Sequence, residues 1–122
     1  MNNQNGKQQM GEETFLVNVE HLLDSQNKEN PERVLFLSVI LQALLDATKP
    51  ETISEPEEEK MARRSAQAWF FASIGVTSED FTDICDLAGI SSRDMRSFAF
   101  KVLRSKEVKY IRKRINTVLN YE

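Results

Sequence analysis

Cysteine occurs once in the 122 residues, at Cys85, and histidine once, at His21. A single cysteine excludes an internal disulfide, and with it the small folds that depend on one. A single histidine without paired cysteines leaves no metal-ligand spacing to read. There are only four glycines, and none belongs to a loop that could cradle phosphate. No Ser/His/Asp arrangement is visible, and Cys85 has no histidine near it in sequence. These absences predict a protein without enzymatic activity, cofactor or metal. The longest apolar run, Val34 to Ala47, is broken by Ser38, Gln42 and Asp46. It is too short to span a bilayer, so no membrane partner is expected. The opening MNNQNGKQQMGEE lacks the apolar stretch of a secretory signal. Together with the lone cysteine, this predicts a cytoplasmic protein.

What is present is charge, and it is unevenly spread. Hydrophobic residues make up 40% and charged residues 29%, and the net charge is −3. That total hides two opposite ends. Residues 91–122 carry nine basic and three acidic residues, a balance of +6, while residues 1–90 carry seven basic and sixteen acidic, a balance of −9. A cationic last quarter suits an anionic partner such as nucleic acid. The competing reading is that the two faces satisfy each other, within one chain or between two.

The length fits one domain, and the apolar periodicity is helical throughout, which predicts an all-α fold of about six helices. Residues 1–13, rich in Asn, Gln and Gly, read as a disordered lead-in before a helical domain over 14–122. Phe15, Leu16, Val19, Leu22 and Leu23 predict a helix over 14–26. Asn30 and Pro31 open a second helix over 31–48. Its polar residues Ser38, Gln42 and Asp46 form one narrow row. The rest of its circumference is apolar, which puts it at the centre of the core or in a homodimer interface. Pro50 ends it. Ser54 and Glu57 have capping-box spacing, with Pro56 in the first turn of a third helix running to about Ser73. Gly75 marks a turn, with Thr77 or Ser78 capping a fourth helix over 79–88. Gly89 stops that helix, and Ser91 with Asp94 caps a fifth. The stripe Met95, Phe98, Ala99, Val102 is about half a turn out of phase with Val108, Ile111, Ile115, Leu119. A break near Ser105 resolves the mismatch and leaves a basic C-terminal helix over 105–120.

The stretch FTDICDLAGISSRDMRSF, residues 81–98, has the make-up of a helix–turn–helix. Gly89 supplies the turn, Cys85 is small where two helices would cross, and Ile84, Ala88, Ile90, Met95 and Phe98 are apolar where the crossing must be fixed. Residues 81–100 resemble the helix–turn–helix signature of bacterial and phage DNA-binding regulators. The resemblance covers about a sixth of the chain, with Cys85 at the place usually held by alanine. The patterns LQALLDA and AQAWFF extend it loosely to small α-proteobacterial and phage-type regulators. It implies a helix–turn–helix over 79–104 with residues 92–104 as the recognition helix, whose N-terminal part and outward face meet base edges.

On that reading Arg93, Arg96, Ser97, Lys101 and Arg104 face a duplex, and Ser91 and Ser92 hold a phosphate at the helix N-terminus. Lys106, Lys109, Arg112, Lys113 and Arg114 form a basic face on the last helix, suited to phosphates. Phe100 also points outward, toward a thymine methyl or against the sixth helix. The simplest place for Trp69, Phe70 and Phe71, which follow Arg63 and Arg64, is the core. The expected function is sequence-specific transcription regulation on double-stranded DNA, with a homodimer through helix 31–48. The alternatives are a helical module binding an acidic protein, such as a component of RNA polymerase, and a phage packaging component that binds DNA without reading sequence.

Overall fold

Helix α2, Pro31–Ala47, sets the architecture. Leu37, Ile40, Leu41, Leu44, Leu45 and Ala47 are all buried along it. A rod this apolar cannot be covered from one side, and α1 (Glu12–Gln26), α3 (Glu57–Phe71), α4 (Val76–Ala88) and α6 (Val108–Asn120) all pack against it. Helix α5 (Ser92–Leu103) closes the bundle by touching α1, α3, α4 and α6. A computed structural model describes residues 11–26 and 29–120. Among these residues there are six helices and no strand, so the protein is all-α, as its periodicity predicts. None of these helices is long and apolar enough to cross a membrane. The broad apolar circumference of α2 is used within its own chain, leaving Leu35 and Val39 outside.

Helix boundaries moved where local chemistry overrode the pattern. Most of the lead-in over residues 1–13 lies outside the described residues, but α1 already begins at Glu12. Asn30 stands at the N-cap of α2 without making a side-chain cap bond. Ser54 does not cap α3. Pro56 holds the N-cap position with φ −62° and ψ 151°. A residue before proline is disfavoured in helical backbone, so Glu55 cannot begin the helix. Gly75 caps α4 in place of Thr77 or Ser78, which fall inside the first turn. Its φ of 94° with ψ of −173° is a conformation only glycine adopts readily, and it lets the helix start three residues earlier than expected. The break after α5 is present: the four residues 104–107 separate the last two helices, and Ser105 Oγ accepts from the Glu107 amide at 2.8 Å.

The segment between α2 and α3 is held by a buried ion pair that composition alone does not reveal. Arg63 of α3 donates two hydrogen bonds to the Glu55 carboxylate, at 2.6 and 2.8 Å. Both side chains are enclosed, with 9% and 1% of their surface exposed. Arg63 reaches the Lys49 carbonyl at 3.5 Å, while Gln67 donates to the Ala47 carbonyl at 2.9 Å. The guanidinium bonds hold the Glu55 carboxyl below the ordinary glutamate range, against the opposing effect of burial. A lowered carboxylate pKa stabilises the fold above the ordinary value, and that stability is lost as pH falls through the lowered one. Urea midpoints measured from neutral pH to below about pH 4 are therefore expected to fall more steeply for the wild-type protein than for Glu55→Gln, which has no carboxylate to protonate.

Candidate nucleic-acid interface

The corner between α4 and α5 is built from three residues. Gly89 closes α4 in the left-handed region, with φ 77° and ψ 29°. Its amide donates to Asp86 O, and the Ile90 amide donates to Cys85 O, both at 3.0 Å. This pairing satisfies two carbonyls that the helix end would otherwise leave open. Ser91 then caps α5, its Oγ accepting from the Asp94 amide at 3.1 Å. A Cβ added to Gly89 would lie 2.9 Å from Arg33 Nη1, so an arginine of α2 lies directly across the corner. The apolar residues expected to fix the junction do so: Cys85, Ala88, Met95 and Phe98 are buried, and Ile84 and Ile90 pack against the core.

Burial pushes the Cys85 thiol up to about 12, reinforced by nearby Asp86 and opposed by Arg96. With the thiolate suppressed, Cys85 is a packing residue.

On α5 the stripe Met95, Phe98, Ala99, Val102 is buried, and Phe98 stacks on Phe15 of α1 with centroids 4.5 Å apart. The opposite face is open. Arg93, Ser97, Phe100 and Arg104 recur at helical spacing and are all exposed. The Arg93 side chain is 92% exposed and approaches Asp94 at only 3.9 Å. Arg104 lies over the ring of Phe100 at 5.2 Å. Phe100 is 52% exposed and meets Phe71 of α3 edge-on. Ser92 and Lys101 are half-buried at the edges of the row.

Two of the arginines expected to face a ligand are turned into the protein. Arg96 Nε donates to the Phe70 carbonyl at 2.7 Å, and the guanidinium sits over the Phe81 ring at 4.8 Å. Its Nη2 is buried and meets no acceptor, with the aromatic face beside it in place of one. Arg112 Nη1 donates to Leu45 O and to Thr48 Oγ1 at the C-terminal end of α2. Burial lowers its pKa, with Asp46 opposing. Arg114 is also engaged, donating to both Glu20 oxygens at 2.6 and 3.0 Å and to Glu13 at 2.6 Å. The basic face of α6 is therefore narrower than its sequence implies: Lys109 and Lys113 are exposed on it, and Lys106 is exposed in the turn before it.

The inward arginines left a signal in the helical wheel. At about 100° per residue, Arg112 and Arg114 flank the apolar stripe of α6, whereas Lys109 and Lys113 lie opposite it. Arg96 lies nearer the stripe of α5 than Arg93 or Arg104 does. An arginine at a stripe edge lays its stem on the core and carries its donors to a helix end. The aromatic run is absorbed by the same junction. Phe70 is fully buried, and Trp69 donates to Asp80 at 2.7 Å while packing edge-on with Phe81. His21 is exposed on α1, and among the described residues no group of three His, Cys, Asp or Glu side chains could hold a metal.

Arg96→Ala removes a charged donor from the last turn of α3 and is expected to destabilise the fold by about 1.5–3 kcal/mol, read as a lower urea midpoint. Cys85 is expected to resist alkylation by iodoacetamide in native buffer and to react promptly once the protein is unfolded by urea. Compared with known proteins, the chain matches no family model, no curated protein and no solved structure.

Proposed function

We propose that the protein is a sequence-specific DNA-binding regulator that meets double-stranded DNA through the outward face of α5, with lysines next to and along α6 holding phosphates. One observation carries this reading: Arg93, Ser97, Phe100 and Arg104 form a continuous exposed row on a helix fixed by a glycine-closed corner. Two guanidiniums, a hydroxyl and an aromatic ring on one face are groups that can pair with base edges in a groove. Arg96 and Arg112 do not contribute contacts on this reading, because their donors already serve the fold. Lys106, Lys109 and Lys113 supply the sequence-independent attraction.

The outer surface of α4 limits how a duplex can approach. Glu79, Asp80, Asp83 and Asp86 are exposed along it. A phosphate backbone is repelled there, so the approach is from the α5–α6 side. The same cations would also attract an acidic protein surface, and direct binding to a duplex separates the two partners. Fluorescence anisotropy with a mixed-sequence duplex is expected to show log K falling linearly with log salt. Lys109→Ala and Lys113→Ala should each weaken all sequences alike and reduce the slope by about one. Absence of duplex binding at low salt would remove this proposal in favour of the acidic protein partner.

A further inference from the structure

The row on α5 is not uniform from end to end. At its N-terminal end Arg93 stands beside Asp94, and the exposed Asp86 precedes the corner by only three residues. The net cationic potential for an anionic groove is lower there. At the C-terminal end Arg104, Lys106 and Lys109 are exposed, with Glu107 as the one exposed acid among them. The cationic potential is therefore concentrated at the far end of the helix. That end also carries the single large apolar side chain of the exposed row, Phe100.

Phe100 and Arg104 act as one unit. Phe71 backs the ring edge-on with centroids 6.2 Å apart, which fixes its position. The Arg104 guanidinium lies over the same ring at 5.2 Å. A guanidinium laid on an aromatic ring keeps its in-plane N–H groups free at the edge, the geometry that matches guanine O6 and N7. One helical turn separates the two residues, a rise of about 6 Å. Because the side chains are in contact, what they touch must also be close, within neighbouring base pairs about 3.4 Å apart. The apolar group of the major groove is the thymine 5-methyl.

Resting on the DNA-binding reading above, we infer that the C-terminal half of α5 enters the major groove and reads a thymine beside a guanine, Phe100 meeting the thymine methyl and Arg104 the guanine edge. Arg93 is about 16 Å away along the helix, nearly five base pairs, and contacts the flanking backbone. This reverses the usual expectation that the N-terminal end of such a helix does the reading.

The test starts with duplexes carrying a randomised core, enriched on the wild-type protein at physiological salt. The enriched duplex is then made with single thymines replaced by uracil, which lacks only the methyl, and single guanines by 7-deazaguanine, which lacks N7. At one position, uracil should cost the wild-type protein about fourfold in affinity, as the loss of one buried methyl implies. Phe100→Ala should be indifferent to that replacement, and Phe100→Leu should remain sensitive. Arg104→Ala should be indifferent to 7-deazaguanine at the neighbouring position, while Arg93→Ala keeps both preferences. Circular-dichroism melting confirms that each variant is folded.

If a sequence is enriched but Phe100→Ala and the wild-type protein respond alike to uracil, this inference fails and the DNA-binding reading stands. It also fails if Arg93→Ala, and not Arg104→Ala, abolishes the guanine preference. Tighter Phe100-dependent binding to the single strands than to the duplex would make the ring a stacking platform and overturn it too. If no duplex is bound at any salt concentration, the DNA-binding reading itself fails, and this inference with it.

Discussion

The structure depends on the need to cover α2. Its buried residues point in too many directions for one or two partners, so the remaining helices are arranged around it. No sheet is available among the described residues to take up that surface. The hydrophobic effect sets no direction, however, and greasy rods packed around another can slide. What fixes angle and register in this bundle is polar and recurs in one form: an arginine at the C-terminal end of a helix. Arg112 meets the end of α2, Arg96 the last turn of α3, and Arg33 lies across the glycine that ends α4. Carbonyls at a helix C-terminus lack intrahelical donors and sit at the negative end of the macrodipole, so a cation there is favoured twice. Each of these arginines comes from another helix; Arg96 and Arg112 tie two elements together through hydrogen bonds to carbonyls, while Arg33 packs beside Gly89.

This division of labour explains why total charge misleads. The C-terminal quarter is strongly basic, yet three of its arginines, Arg96, Arg112 and Arg114, are committed to carbonyls and carboxylates of the same chain. The exposed cations that remain are Arg93 on α5, Arg104 at its C-cap, Lys106 in the following turn, and Lys109 and Lys113 on α6. A lysine is a hydrated point charge on a flexible stem, suited to general attraction, while a held guanidinium gives direction. The surface that stays open is therefore more ordered in its roles than a count of charges indicates.

The helices themselves were legible from apolar spacing, and so were the break near Ser105, the cap at Ser91 and the left-handed Gly89, because each depends on neighbours within a turn or two. The cap at Ser54 was misread because a helix capped there would need Glu55 in helical backbone, which the following Pro56 disfavours. The start of α4 was misplaced because Gly75 looked like a turn residue, and its φ of 94° made it the cap itself. Arg96 and Arg112 were harder. Their acceptors lie 26 and 67 residues away in sequence, and no local pattern reports a carbonyl on another helix. Only their places at the edges of apolar stripes separated them from the outward residues. The Glu55–Arg63 pair, eight residues apart across an irregular segment, had no periodic signal at all.

Arg114 joins the last helix to the first, across separations of 94 and 101 residues, through Glu20 and Glu13. Bringing those groups together closes a long loop, at an entropic cost that grows only slowly with its length. Contacts between residues so far apart in sequence slow folding, so the pairing of α1 with α6 is expected to form after the local corners of the bundle.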